Sequence, residues 1–277
     1  MTYSSTYKYV VNSRSGDTFL LYQCGTTAPS LTSLGYANTT KVFAVPLQGV
    51  STGLTPTFSF LELLGVRSKI KYIDPTYVVS PCLQKLIVCT TPILGTWNPV
   101  STTAVAAVDA VLSDPFGTGA SNTAKDLVFD ASVAPLPLAR AEWIKFLSLF
   151  FNAESTANAQ FAAIQAAYTS VAAAAAGASE AKPVVAWASY YDGRPWGSTE
   201  QWVLSAAPYK TQFTTDAGAT SPAAITGLTA DIYYSDSAAF RAALKVSSGR
   251  PALPHWIERD VPPSGGGAPI ERPHVVG

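Results

Sequence analysis

One helical stripe of apolar residues near the middle of the chain constrains the fold more than any other feature. Between Ala139 and Ala176 the apolar residues recur mostly at steps of four and three, which is the spacing of one helix face, and only Glu154 interrupts them. The stripe comprises Trp143, Leu147, Phe150, Ala157, Phe161, Ile164, Tyr168 and Val171. Pro137 precedes the segment and Gly177 follows it, as at a helix start and stop. We therefore predict one continuous helix of roughly 50 Å, at about 1.5 Å per residue.

This helix is longer than a typical domain helix, and its apolar face is wide. Phe146, Leu149 and Phe151 extend the face beyond one seam, so we expect the helix to pack on two sides. The charged residues that a coiled coil places beside its seam are missing. We interpret the segment as a rigid strut shared by two lobes.

The composition excludes several classes of protein. The 277 residues are 48% hydrophobic and 13% charged, which suits one large domain or two smaller ones. Lysine plus arginine equals aspartate plus glutamate at 18 each, so the basic footprint of a nucleic-acid binder is absent. The longest apolar runs are too short to cross a bilayer. We expect a monomer, and Met1 leads into a polar stretch that does not read as a signal peptide.

Before the strut, short strands alternate with helical stretches. The predicted elements are an edge hairpin over 3–24, a strand over 41–47, a loop over 48–53, a helix ending at Gly65, a strand over 70–73, a helix over 104–112 and a strand over 126–130. After the strut, strands are predicted at 182–189, near 202–204 and at 230–234, and a helix at 237–245. Proline and glycine dominate from 247 onward.

This order predicts an α/β protein with two Rossmann-like lobes joined by one long backbone helix, the second lobe incomplete. The predicted segments are 1–138 for the first lobe, 139–177 for the helix, 178–246 for the second lobe and 247–277 for a tail. We expect mainly parallel strands in both lobes. The loops after Leu47, Ile73 and Ser189 should then converge on a cleft between the lobes.

Several stretches resemble a known family. Val42–Leu47 followed by Ser59–Val66 is similar to the first strand and the "leucine-glutamate-leucine-leucine-glycine" helix end of the periplasmic-binding-protein family of the helical-backbone type. Asp126–Asp130 is similar to its "proline-aspartate-leucine-valine" strand, with Lys125 in place of the proline. Leu138–Phe146 resembles the backbone-helix opening of a branch that includes the cobalamin-acquisition proteins of algae. The resemblance implies binding of cobalamin, an iron-siderophore, haem or a metal ion between two lobes.

Catalysis and metal binding have little basis in the sequence. The two histidines, His255 and His274, both lie in the proline-rich tail, and no nucleophile elbow is present, so we expect no enzyme and no intrinsic cofactor. The three cysteines, Cys24, Cys82 and Cys89, lack metal-ligand spacing. One disulfide with a free thiol and three buried thiols both fit.

Two stretches are candidate ligand contacts. Gln48, Ser51 and Thr52 stand in a glycine-containing loop before a helix, which suits either a ligand loop or an ordinary tight turn. Aromatic residues follow the strand that starts near 182, and they can form a flat platform for a large ring, with an arginine for its carboxylate or phosphate. The residues of this second stretch are Tyr190, Tyr191, Arg194 and Trp196, with Tyr77 and Trp97 as weaker counterparts in the first lobe. Trp187 is expected in the core.

The favoured function is capture of a bulky cofactor, such as cobalamin or a metal chelate, and its delivery to a membrane transporter or receptor. The resemblance implies a periplasmic, extracellular or cell-surface location. Glu62 is either a docking residue for such a transporter or a solvated helix residue. The alternative is a surface interaction protein that keeps the fold without transport, and an extracellular hydrolase remains as a third hypothesis.

Overall fold

The computed structural model describes residues 1–88, 95–96, 101–117, 120–193, 199–248 and 272–276, with side chains left undescribed for 95–96, 245–248 and 272–276. The chain forms two compact units. The first comprises Met1–Val133 and Ala139–Ile164, and the second comprises Ala134–Leu138 and Gln165–Gly277.

The first unit begins with a four-stranded sheet. Its strands run in the order β1 (Thr2–Tyr3), β2 (Tyr7–Val11), β3 (Thr18–Gln23) and β4 (Lys41–Val45), and a short helix, α1 (Leu31–Leu34), connects the last two. The β2–β3 pair is antiparallel, which confirms the predicted hairpin, whereas β4 pairs with β3 in parallel. One face of this sheet carries the apolar residues of the core.

The second sheet of this unit is entirely parallel. Its order is β7 (Gly95–Thr96), β6 (Ile70–Ile73), β5 (Val50–Thr52), β8 (Ala110–Ser113) and β9 (Asp126–Val128). The connecting helices are α2 (Thr55–Leu63), α3 (Pro81–Val88) and α4 (Thr102–Ala106), with single 3-10 turns at Arg67–Lys69 and Ala131–Val133. This is the α/β arrangement that the alternating sequence predicts.

Two elements of the first unit differ from the sequence prediction. The predicted helix over 104–112 is wrong, because α4 ends at Ala106 and β8 begins at Ala110. All four residues of β8 are buried, as in a strand that is covered on both faces, and a helix would have exposed one of them. The predicted loop over 48–53 is also wrong in part, since it contains strand β5 at the centre of the sheet.

The predicted continuous helix is broken. The structure has α5 (Pro137–Ser148) and α6 (Glu154–Ala176), separated by five residues. The consecutive residues Leu149, Phe150 and Phe151 are all buried, at 6%, 0% and 6% exposure, which one face of a helix cannot achieve. Asn152 adopts a positive φ of 52° and completes the turn. The prediction of one helix from 139 to 176 is therefore wrong, and the long helix is α6 alone.

A lysine from the amino-terminal sheet holds the connection between α5 and α6. Lys8 Nζ donates to the Leu149 carbonyl at 3.1 Å and to Asn152 Oδ1 at 2.7 Å, and it also pairs with the Glu154 carboxylate. The Lys8 side chain is only 14% exposed. The Lys8 ammonium group thus provides a hydrogen-bond donor for the Leu149 carbonyl after α5 and a positive charge for Glu154 at the start of α6.

The second unit contains an antiparallel sheet. Its order is β12 (Ile232–Tyr234), β11 (Gln201–Leu204), β10 (Val184–Tyr191) and β13 (Arg272–Val276), and its helices are α7 (Pro208–Asp216) and α8 (Ser237–Ser248), with a 3-10 turn at Ala223–Ile225. The prediction of mainly parallel strands is wrong here. The nine residues between β10 and β11 are too few for the crossover that a parallel pair needs.

The segment predicted as a tail, 247–277, is only partly one. The first two of its residues complete α8, and β13 pairs along β10. The core of this unit is formed by alanine, larger aliphatic and aromatic residues between the sheet and α8, namely Ala186, Leu204, Ala206, Ile225 and Phe240.

The end of α6 packs closely within the second unit. Gly218 has a φ of 80°, and a Cβ there would lie 3.1 Å from the Ala175 side chain, so this position needs glycine for both conformation and space. About two turns earlier in α6, the Tyr168 hydroxyl donates to Asp216 Oδ2 at 2.6 Å. Burial and this hydrogen bond raise the pKa of Tyr168 above its ordinary value.

Replacing Lys8 with methionine should lower the free energy of unfolding by about 1–3 kcal/mol, because a carbonyl and a carboxylate lose their charged partner. Urea unfolding measures this change. The matched control is Lys85→Met on an exposed face of α3, which should change stability by less than about 0.5 kcal/mol. Equal losses in the two variants would contradict the role given to Lys8.

Tyr168→Phe should cost about 1–2 kcal/mol at neutral pH through loss of the hydrogen bond to Asp216. The raised folded-state pKa means that this stability is fully present below about pH 10, where unfolded tyrosine is neutral, and is lost as the pH rises further. The difference between wild type and variant in urea unfolding should therefore shrink at alkaline pH. Tyr233→Phe, at a residue that is 61% exposed, should show no difference at either pH.

Candidate functional site

The order of the parallel sheet defines where a ligand is expected in the first unit. The chain passes from β5 to β6 and β7 on one side, and then crosses to β8 and β9 on the other. The topological switch point therefore lies between β5 and β8. In open parallel sheets, ligands bind in the crevice at the carboxyl ends of the strands beside this point.

Large apolar side chains are exposed in the loops that follow these strands. Tyr77 and Val79, after β6, are 40% and 84% exposed, and Phe116, after β8, is 80% exposed. β6 and β8 are both neighbours of β5 in a parallel sheet, so the two loops leave it at the same edge. We call these three residues the apolar edge.

Local hydrogen bonds shape the loops that carry the apolar edge. The Thr76 N–H and hydroxyl donate to Asp74 Oδ1 at 2.9 and 2.6 Å, which closes a turn just before Tyr77. After β8, the Phe116 N–H donates to Asp114 Oδ1 at 2.9 Å in the same kind of turn. An aspartate followed by proline thus begins both loops.

Two predicted ligand residues, Ser51 and Thr52, lie within strand β5. Both side chains are fully buried, at 0% exposure, and the Ser51 hydroxyl has no partner among the described residues. The Thr52 hydroxyl lies 2.8 Å from that of Thr57 and accepts from the Leu54 N–H at 3.0 Å. Through these two contacts, Thr52 stabilises the loop between β5 and α2, which lies at the switch point.

Gln48 precedes β5 and so lies at the amino edge of the sheet, whereas Tyr77 lies at the carboxyl edge. The loops after Leu47 and after Ile73 are therefore at opposite edges, and their predicted convergence is wrong. The backbone N–H groups of Gln48 and Gly49 donate to Asp109 Oδ2 at 2.6 and 2.9 Å, and Gln48 Oε1 accepts from Lys69 Nζ at 2.6 Å.

A cavity of about 250 Å³ lies at this amino edge and is lined by Val42, Phe43, Ala44, Leu47, Ala106, Ala107, Val108, Asp109 and Lys125. Its lysine is already engaged: Lys125 Nζ donates to the Val108 and Val105 carbonyls at 2.6 and 2.8 Å, which stabilises the end of α4. The cavity therefore offers a ligand no uncommitted cation.

Glu62, the predicted docking residue, is not simply solvated. Its Oε1 accepts from the Ser80 hydroxyl at 2.8 Å and lies 3.5 Å from Arg67 Nη1. The side chain, 28% exposed, links α2 to the start of α3. Its docking role remains a prediction.

In the second unit, Tyr190 and Tyr191 end strand β10 and are both partly exposed. The Tyr190 ring lies 5.3 Å from the Trp202 ring, and its hydroxyl donates to Glu200. Three other predicted contacts, Trp97, Arg194 and Trp196, lie outside the described residues.

Trp187, expected in the core, is partly buried against α7. Its Nε1–H donates to Thr214 Oγ1 at 2.9 Å, and its ring meets the Phe213 ring edge-on at a centroid distance of 6.4 Å.

The described residues contain no group of three or more histidine, cysteine, aspartate or glutamate side chains placed to hold a metal ion. Cys24 and Cys82 are free, exposed thiols, so the alternative of three buried thiols is wrong. Cys89 and His255 lie outside the described residues, as does the side chain of His274. Within the same ranges, no helix combines the length and the hydropathy needed to cross a membrane.

Val79 and Phe116 were missed by reasoning from the sequence. A signal for Phe116 was present, because Asp114-Pro115 repeats the Asp74-Pro75 pair that ends the neighbouring strand β6. Because the sequence predicted a helix over 104–112, however, Asp114 was not recognised as the first residue of a loop after a strand.

Known proteins are similar to this chain in fold but not in sequence. No family model matches the chain, and no curated protein is similar to it in sequence. Among solved structures, a periplasmic binding protein from Veillonella parvula aligns with a TM-score of 0.55 at 13% identity, covering 87% of this chain and 75% of that one. The fold is that of the periplasmic binding proteins.

Two further periplasmic binding proteins align over slightly less of the chain. A possible iron-binding protein from Staphylococcus epidermidis has a TM-score of 0.51 at 8% identity, covering 72% of this chain and 74% of that one. The apo form of a periplasmic heme-binding protein from Roseiflexus sp. RS-1 has a TM-score of 0.50 at 13% identity, covering 71% and 73%. The two-lobed α/β fold with a long connecting helix is thus confirmed, whereas the resemblance to an algal branch stays a prediction.

Proposed function

We propose that this protein is a solute-binding protein, not an enzyme, that captures a bulky and partly apolar cofactor or chelate, such as cobalamin. The observation that carries the proposal is the apolar edge of Tyr77, Val79 and Phe116 beside the switch point of the parallel sheet. A fold shared with solute-binding proteins supports it.

The size of the apolar edge suits a large ring better than a small polar solute. Covering these side chains with one face of a ring would bury on the order of 100–200 Å² of apolar surface, worth roughly 2.5–5 kcal/mol before association costs. Such burial alone gives weak binding. Polar groups must supply the remainder.

Delivery to a membrane transporter or receptor, outside the cytoplasm, is part of the same proposal. Glu62 is our docking candidate. To meet a cation on a transporter it would exchange its contacts with Arg67 and with Ser80 at the start of α3, both of which are partly exposed. Exchange of one ion pair for another costs little at such a surface.

Replacing Phe116 with alanine and Val79 with serine should weaken ligand binding about 5- to 30-fold, since the pair supplies roughly 1–2 kcal/mol of apolar contact. Aquocobalamin, haemin and a ferric hydroxamate are titrated by absorbance, and the tightest ligand is then measured with the variant. Tyr233→Ala, which removes a similarly exposed aromatic ring from edge strand β12, should leave affinity unchanged. The proposal is overturned if none of the three ligands binds the wild type, or if the variant with alanine at Phe116 and serine at Val79 binds as tightly as the Tyr233→Ala control.

The aromatic residues at the end of β10 and after it are tested separately. Alanine at Tyr191 and Trp196 should reduce affinity for the same ligand while the thermal midpoint is kept, because ring stacking on the ligand would be lost. Unchanged affinity in a folded double variant would remove this loop from the site and leave the apolar edge standing.

A further inference from the structure

Strand β4 has one edge without a neighbouring strand. Among the described residues β4 is the last strand of its sheet and pairs only with β3. The Val45 carbonyl accepts the Cys24 N–H at 2.8 Å, so Val45 directs its backbone groups toward β3. Backbone groups alternate in direction along a strand, and Phe43 therefore faces β3 as well. Val42 and Ala44 direct their N–H and C=O groups to the other side, which we call the open edge of β4.

The four backbone groups of Val42 and Ala44 at the open edge have no hydrogen-bond partner in the described part of the chain. A row of unpaired N–H and C=O groups is what an added strand requires. The edge is also accessible, since Val42 is 39% exposed and Ala44 is partly exposed. An incoming chain could therefore form up to four backbone hydrogen bonds here.

The cavity at the amino edge of the parallel sheet lies along the open edge of β4. Residues 42–44 line it together with the aliphatic residues 106–108, at and after the end of α4. It is open to solvent at Ala106 and Ala107, which are both exposed. Its volume of about 250 Å³ is below the roughly 300–1,000 Å³ of most small-molecule sites. The cavity therefore suits a few residues of an extended chain and not a bulky cofactor.

The charged groups that line this cavity are already hydrogen-bonded. Lys125 Nζ donates to three carbonyls near the end of α4, and Asp109 Oδ2 accepts from two backbone N–H groups. A free peptide would bring its terminal carboxylate into the cavity without a cation to receive it, which is costly. An internal segment of a longer chain carries only neutral amides at this point. The chemistry of the lining thus favours an internal segment.

We propose that the open edge of β4 and its cavity bind an extended, uncharged segment of a partner polypeptide by strand addition. Main-chain hydrogen bonds with Val42 and Ala44 attach the segment, and its small apolar side chains pack against Ala106 and Ala107. A second copy of this chain fits less well, because the cavity lining stands beside the open edge in each copy. The site lies at the opposite edge of the parallel sheet from the apolar edge, so it is independent of the proposed capture of a cofactor.

Amide hydrogen exchange in the full chain, measured by NMR, tests the open edge. In the free protein the amides of Phe43 and Val45 should exchange slowly and those of Val42 and Ala44 quickly, because only the first two are paired with β3. The probe is a blocked tripeptide, acetyl-alanyl-valyl-alanine amide. At saturation it should slow exchange at Val42 and Ala44 at least about tenfold and shift their signals.

Two altered peptides separate strand addition from simple filling of the cavity. Replacing the internal amides of the tripeptide with esters removes N–H donors but keeps the side chains, and should weaken binding about tenfold. The unblocked tripeptide should also bind more weakly, because its terminal charges are not neutralised. Equal affinity of the ester peptide, or no change at Val42 and Ala44 with millimolar blocked peptide, overturns the proposal. Equal affinity of the unblocked peptide overturns the choice of an internal segment.

A substitution in the cavity lining locates the site. Ala107→Phe adds a ring at an exposed position of the lining and should weaken binding of the blocked tripeptide at least about tenfold, because the ring occupies the space of the segment. Ala159→Phe, at an exposed position of α6, is the matched control and should bind as the wild type does. Unchanged affinity in Ala107→Phe excludes the cavity. Slow exchange at Val42 and Ala44 in a free protein that sediments as a dimer assigns the edge to a second copy, which also overturns the proposal.

Discussion

The first unit depends on the burial of Phe150. Its ring is fully buried and meets the rings of Phe19, Phe43 and Phe146 at centroid distances of 5.4, 5.7 and 5.5 Å. Its carbonyl accepts the Leu47 N–H at 2.9 Å, so the same residue also fixes the backbone between β4 and β5. One residue thus joins the amino-terminal sheet, α5 and the approach to the central strand. Truncating a ring this buried typically costs 3–5 kcal/mol.

This burial also decides where the long helix begins. A helix through 149–151 would place one of three consecutive apolar residues toward solvent, and breaking it buries all three at the cost of a few backbone hydrogen bonds. Lys8 replaces part of that loss by donating to the freed Leu149 carbonyl, to Asn152 Oδ1 and to Glu154. The residue that interrupted the apolar stripe in the sequence, Glu154, is therefore the first residue of α6.

Reasoning from the sequence recovered elements whose pattern is local. The hairpin at Tyr7–Gln23, the strand at Ile70–Ile73 and the helix beginning at Ser237 were placed within a few residues, because alternation, turn chemistry or helical period decides each of them. The break after Ser148 and the strand at Val50 were not found, since both follow from burial against distant residues. The predicted site was affected most, because strand β5 occupies Val50–Thr52. Gln48 therefore lies at the amino edge, and Ser51 and Thr52 are buried. Of the described candidates in the first lobe, only Tyr77 is exposed at the carboxyl edge.

Strand direction, rather than residue type, is what separates the two edges of the sheet chemically. In a parallel sheet every strand begins at one edge, so residues that precede strands gather there and residues that follow them gather at the other. Lys69, Asp109 and Lys125 precede strands. Lys69 and Asp109 are both hydrogen-bonded to Gln48, and Lys125 is hydrogen-bonded to carbonyls at the end of α4, so each of these charged groups has a partner at that edge. Asp74 and Asp114 follow strands, beside Tyr77 and Phe116, with no basic residue in the same loops. Residues that follow β6 and β8 are therefore the ones that a ligand at the carboxyl edge would meet, and among them the large apolar side chains of Tyr77, Val79 and Phe116 are exposed.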